Sequence, residues 1–208
     1  MTQLKVMVLA LACALSPALS HAAGDPAAGK AAFAVCAACH GQNAEGIQAM
    51  NAPRLAGQEG WYLRRQLDAF KAGHRGTRPG DTFGMQMRPM ASAVAAPAAV
   101  DNLLAYIATL KPPASAMTVK GDLKAGQAAY AVCAACHGQK AEGLEQMGGP
   151  GLAAQDDWYL VRSLQSYKKG LRGYAPQDTF GRQMAPMAAT LANDAAVNNV
   201  VSYIKSLR

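Results

Sequence analysis

The sequence predicts an all-α fold made of two tandem domains, each of about three main helices. Three observations carry that prediction. Beyond Ala23 the chain repeats itself at a fixed offset of 97 residues: Asp25, Gly29, Cys36, Pro53, Trp61, Phe83, Met87 and Tyr106 recur as Asp122, Gly126, Cys133, Pro150, Trp158, Phe180, Met184 and Tyr203. Each copy divides into helical stretches bounded by capping residues, glycines and prolines, and no stretch alternates as a half-buried strand would. Both copies also hold the same pentad, Cys36-Ala37-Ala38-Cys39-His40 and Cys133-Ala134-Ala135-Cys136-His137.

Residues 1–22 read as a secretory signal peptide. Lys5 supplies the charged start, Val6 to Leu15 the apolar run, Pro17 a break, and Ser20 and Ala22 the small residues before cleavage. The apolar run is too short for a membrane-spanning helix. Cys13 falls inside that run and lacks the leucine three residues earlier that lipid attachment would want. Export to a bacterial-type periplasm is the expected localisation.

The first domain is expected over 23–111, a linker over 112–120 and the second domain over 121–208. Within each domain the first helix opens at an aspartate, Asp25 followed by Pro26 or Asp122, and runs into the pentad. The second runs from about Glu59 to Lys71, stopped by Gly73 in one copy and Gly170 in the other. The third runs from Pro97 or Asp194 to Leu110 or Leu207. Between the last two lies an expected loop, Gly84-Met85-Gln86-Met87-Arg88-Pro89-Met90, repeated as Gly181-Arg182-Gln183-Met184-Ala185-Pro186-Met187. Paired prolines, Pro112 and Pro113, make the linker short and stiff.

Two cysteines two residues apart and followed by histidine can form thioethers with a haem's two vinyl groups while the imidazole takes the iron. A zinc site would need four clustered ligands per ion, and the body of the chain has no further cysteine to complete one. A thioredoxin-like pair would follow a strand, whereas both pentads end alanine-rich helices. With four Phe and two Trp in 208 residues the apolar core is thin, and a covalently tied group would staple it. Two haem c groups are therefore expected, bonded through Cys36, Cys39, Cys133 and Cys136, with His40 and His137 as iron ligands.

The opposite iron face can be closed in both copies by Met50/Met147, Met87/Met184 or Met90/Met187. His74 is no shared candidate, because its counterpart is Leu171. Met50 follows His40 by ten residues and has trouble reaching the far side. That leaves the paired methionines around Pro89 and Pro186, one to ligate and one to pack. No paired carboxylates, nucleophile constellation or phosphate-binding glycine loop suggests catalysis. The net charge of +7 is scattered; it suits a solvated surface, a docking face for an acidic redox partner, or loose association with an anionic membrane surface. It lacks the arginine runs and aromatic arrays of nucleic-acid binding.

In its pentads, its Pro-x-Leu segments (Pro53, Leu55; Pro150, Leu152), its middle helices and its late methionines, the chain resembles the dihaem class I cytochromes c of the cytochrome c4 type over both repeats. The resemblance implies Met87 and Met184 as the second iron ligands. It makes Pro53 and Pro150 the residues whose carbonyls accept the histidines' other N–H. It also implies a crossing of first and last helices through Gly29 and Phe33 against Leu103 and Tyr106, and through Gly126 and Tyr130 against Val200 and Tyr203. Trp61 and Trp158 match the family weakly, and core packing is expected of them. The implied function is a periplasmic electron carrier, no enzyme, with its two haems facing one another across a pseudo-two-fold interface. Its expected partners are a respiratory donor, membrane-bound or periplasmic, and an acceptor such as a terminal oxidase. The alternatives are the electron-transfer subunit of a larger dehydrogenase and, more remotely, a dihaem peroxidase or sulfur-compound-oxidising enzyme.

Overall fold

The computed structural model describes residues 24–111 and 114–207. The expected signal peptide, Cys13 within it, and the linker prolines Pro112 and Pro113 lie outside the described residues. In the first domain α1 spans Pro26–His40, α2 Gly60–Lys71, α3 Thr82–Ser92 and α4 Pro97–Thr109. In the second, α5 spans Leu123–Tyr130, α6 Ala134–His137, α7 Asp157–Lys168, α8 Thr179–Ala189 and α9 Asp194–Ser206. Among the described residues the only β pairing is two isolated bridges, Ile47 with Ala52 and Leu144 with Gly149.

The helices begin where local chemistry dictates. Asp25 accepts the Ala27 N–H at 2.8 Å, and Pro26 fills the first turn, where no donor is needed. Asp122 does the same for Lys124 and Ala125. In the second copy the helix breaks at residues 131–133, so the pentad histidine rides on the one-turn α6 rather than on a continuous α1.

First and last helices of each domain cross at a glycine. A Cβ built on Gly29 would lie 1.9 Å from the Asn102 carbonyl oxygen, and one on Gly126 would lie 2.1 Å from that of Asn199. Only a missing side chain allows this approach. The crossing is flanked by the Phe33–Tyr106 rings, 5.4 Å apart, and the Tyr130–Tyr203 rings, 5.7 Å apart. Asn102 and Asn199 finish it by accepting the backbone N–H of Asp25 and Asp122. Leu63, Val100, Leu103 and Ile107 complete the first core, and Leu160, Val197, Val200 and Ile204 the second.

The methionine-bearing segment is helical rather than a loop. Asp81 and Asp178 cap it by accepting the N–H of Gly84 and Gly181 at 3.0 and 2.9 Å. Pro89 and Pro186 sit inside α3 and α8. Each proline removes one helical hydrogen bond, a cost that a capped helix of two further turns absorbs. Each domain thus gains a helix beyond the three main ones, and it places Met87 and Met90, or Met184 and Met187, one turn apart on adjoining positions.

The duplication diverges where the linker returns. Asp157 stands where the first copy has Gly60, and its carboxylate accepts N–H groups from Thr118 and Val119. Lys205 stands where the first copy has Ala108. It is 2% exposed and donates to the carbonyls of Ala153 and Gln155 and to Ser115. These groups lash the linker to the second domain.

Gly29→Ala and Gly126→Ala should each lower stability by about 1–3 kcal/mol, because the added methyl pushes the crossing helices apart. Denaturant titration of each variant against the parent measures the loss.

Candidate functional site

Each domain holds a cavity lined both by its pentad and by its methionine helix. The first is lined by Cys36, Cys39, His40, Met87 and Met90, and the second by Cys133, Cys136, His137, Met184 and Met187. Met50 and Met147 lie at the rims.

The imidazoles are buried, His40 at 7% and His137 at 8% exposure. Their Nδ1 atoms lie 2.7 Å from the carbonyl oxygens of Pro53 and Pro150. A carbonyl only accepts, so Nδ1 carries the proton and Nε2 keeps its lone pair. Burial lowers both imidazoles' proton affinity against the pull of those carbonyls. At His137 the Glu59 carboxylate adds to the upward pull and Arg65 opposes it. These are neutral, oriented donors, as iron ligation requires. The four body cysteines form no disulfide, and burial, with the neighbouring cysteine, raises Cys36 and Cys133 above the usual thiol range. Cys36 and Cys133 are thus not the low-pKa thiols of exchange chemistry.

The methionines are graded by depth. Met87 and Met184 are half-buried, whereas Met90 and Met187 are 39% and 41% exposed, and Met50 and Met147 about half exposed. Val35, Phe83, Val132 and Phe180 also line the cavities while 38–56% exposed. Such apolar walls suit a flat, largely apolar ligand.

Between the cavities the domains meet about a pseudo-two-fold axis. Arg65 donates to the Gly148 carbonyl at 2.7 Å and lies 4.2 Å from the Phe180 ring centre. Its counterpart Arg162 donates to the Asn51 carbonyl at 2.8 Å and to the Asn51 side chain at 3.0 Å, and lies 4.9 Å from Phe83. Thr77 meets its own counterpart, Tyr174, through their hydroxyls. Trp61 and Trp158 pack against these arginines, 4.9 and 5.1 Å from the guanidinium carbons, instead of joining either core cluster or lining either cavity.

At the centre lie Tyr62, Tyr159, Arg75, Arg172 and Gln66. Gln66 Oε1 accepts from Arg75 at 2.6 Å and from Arg172 at 3.3 Å. Burial would raise the Tyr159 phenol, but the guanidiniums of Arg75, Arg172 and Arg162 together bring it down to about 7. The Nε atoms of Arg75 and Arg172, Gln58 Nε2 and Ser163 Oγ are buried without a hydrogen-bond partner, and all four residues line one cavity or both. A buried cationic cluster with spare donors calls for an anion. Carboxylates on an otherwise apolar disc, as in haem, match both the walls and this cluster. No local motif marks these residues as an interface. Their one signal was recurrence of Tyr62, Arg65 and Arg75 at the 97-residue offset as Tyr159, Arg162 and Arg172.

The cytochrome c family model matches the chain twice, over residues 26–111 and 123–208. The cytochrome c4 of Azotobacter vinelandii is 33% identical over 203 residues, which cover 91% of this chain and 92% of the relative. The crystal structure of reduced recombinant cytochrome c4 from Pseudomonas stutzeri superposes with a TM-score of 0.70 at 28% identity, covering 89% of this chain and 100% of that one. A thiosulfate dehydrogenase electron acceptor of Stutzerimonas stutzeri (strain A1501) is 31% identical, over 83% of this chain and 78% of the relative.

Arg162→Leu removes two hydrogen bonds and one ring contact across the domain boundary. The expected loss is about 1–3 kcal/mol of interface energy. In calorimetry the domains should then melt as two resolved transitions where the parent shows tighter coupling.

Proposed function

The chain belongs to the cytochrome c family and carries two covalently bound haem c groups, and from that premise we propose that it is a periplasmic electron carrier with two His/Met-ligated centres. Haem, when bound, supplies a one-electron iron couple. The protein's part would be to offer each group an oriented imidazole and a thioether and to exclude water. Cys36, Cys39, Cys133 and Cys136 tether the groups, and His40 and His137 present Nε2 because Pro53 and Pro150 occupy Nδ1. Met87 and Met184 would supply the thioether.

The observation that carries this reading is that each cavity is lined by both an oriented imidazole, its Nδ1 held by a proline carbonyl, and a half-buried methionine, alike in both domains. The greater depth of Met87 and Met184 favours them over Met90 and Met187, which lie nearer solvent. Two donors per iron leave no coordination position for substrate, which suits a carrier rather than an enzyme. The spread of positive charge suits docking to acidic faces of a donor and an acceptor such as a terminal oxidase. The likeness to a thiosulfate dehydrogenase electron acceptor supports a second reading with the same chemistry, a dihaem unit serving a dehydrogenase. Isolation in a stoichiometric complex with a dehydrogenase would favour that reading.

Met87→Ala and Met184→Ala should each abolish the near-infrared sulfur-to-iron charge-transfer band of one centre and halve its total intensity. Met90→Ala and Met187→Ala should keep it. Retention of the full band in Met87→Ala or Met184→Ala would move ligation to Met90 and Met187.

A further inference from the structure

Two carboxylates cross the domain boundary, and each ends on the peptide group that holds the other domain's histidine. Glu59 Oε1 accepts the Gly151 N–H at 2.8 Å, and Asp156 Oδ2 accepts the Arg54 N–H at 3.1 Å. The Gly151 N–H shares one peptide unit with the Pro150 carbonyl that takes the His137 proton. The Arg54 N–H likewise shares one with the Pro53 carbonyl that takes the His40 proton. Both relays run carboxylate, amide N–H, carbonyl, imidazole N–H. A negative charge on an amide N–H shifts density onto its oxygen, which then pulls harder on the imidazole proton and strengthens Nε2 as a donor. A stronger donor and a nearby negative charge both stabilise ferric over ferrous iron.

The relays are unequal because the duplication diverged at one position. Asp156 is paired with Arg54, Nε to Oδ1 at 3.5 Å, with both side chains less than a tenth exposed. Glu59 faces Gly151, the counterpart of Arg54. It has no ion pair among the described residues, and its Oε2 is buried without a hydrogen-bond partner. The cationic cluster is also shared unevenly: Arg172 lines both cavities, whereas Arg75 lines only the first. The Pro150–Gly151 peptide behind the second histidine therefore receives a carboxylate without an ion pair, and the first cavity has the larger positive charge.

We infer that Glu59 is a positioning residue for the second domain's centre, acting through the Pro150–Gly151 peptide, and that the Arg54–Asp156 pair mutes the same push on the first. The second-domain iron is then the lower in potential, and the first electron taken up rests on the first domain. The inference builds on the reading of two His/Met centres and fails separately from it.

The test is an optical redox titration of the haem-loaded protein as native chain, Glu59→Gln and Glu59→Asp. Met87→His and Met184→His, each of which removes one sulfur-to-iron band, assign the two waves to their domains. Glu59→Gln keeps the hydrogen bond and removes the charge, so the second-domain midpoint should rise, the first stay put and the gap narrow. Glu59→Asp, which keeps the charge, should preserve the native order. A second-domain midpoint unmoved in Glu59→Gln, with both bands intact, would overturn the inference, as would a native titration that puts the first domain lower. Fewer than two bands in the native protein would instead overturn the underlying ligand assignment.

Discussion

The hydrogen bond from a buried imidazole Nδ1 to a proline carbonyl is the constraint on which the rest of each domain depends. It fixes the tautomer, aims Nε2 into the cavity and sets the donor's basicity in one contact. The helix crossing at Gly29 or Gly126 and the turn from the pentad to Pro53 or Pro150 hold the two ends of that bond in place. The methionine helix, capped by Asp81 or Asp178, lines the same cavity.

What distinguishes this molecule from two independent copies is the boundary between them. Arginines 65 and 162 reach across to the loop of the opposite domain, and the carboxylates of Glu59 and Asp156 reach to the opposite histidine's own peptide. Electrostatics at one centre is thus partly written in the sequence of the other domain. Pseudo-symmetry supplies the framework, and single exchanges such as Arg54 for Gly151, or Gln66 for Ser163, break it. The lashing of the linker by Asp157 and Lys205 is a further asymmetry, confined to the copy that has a linker to receive.

Much of the fold was legible because local chemistry writes it. Asp25-Pro26 announces a helix start, Gly73 and Gly170 announce stops, and the pentads with their 97-residue offset announce two equivalent pockets. In sequence the methionine segment has the marks of a loop, because glycine and proline punctuate it. The aspartate caps at Asp81 and Asp178 outweighed that signal, and a proline costs one bond rather than the whole helix. Trp61 and Trp158 are expected in the core, yet they stack on Arg65 and Arg162, four residues on in the same helix, and those arginines bond to the opposite domain about a hundred residues away in sequence, which no local pattern reveals. The buried Tyr62, Tyr159, Arg75 and Arg172 cluster was hidden for the same reason. Periodicity reports which face of a helix is buried, not what waits on the other side.

On the proposed ligation by His40 with Met87 and by His137 with Met184, both irons would be saturated by protein ligands and the molecule would pass electrons without binding substrate. Exposure of the fully reduced protein to carbon monoxide, followed by its visible absorption spectrum, tests that claim most directly. The spectrum should remain that of six-coordinate haem at both centres. A rapid shift at either one would mean an open coordination position and would contradict the account.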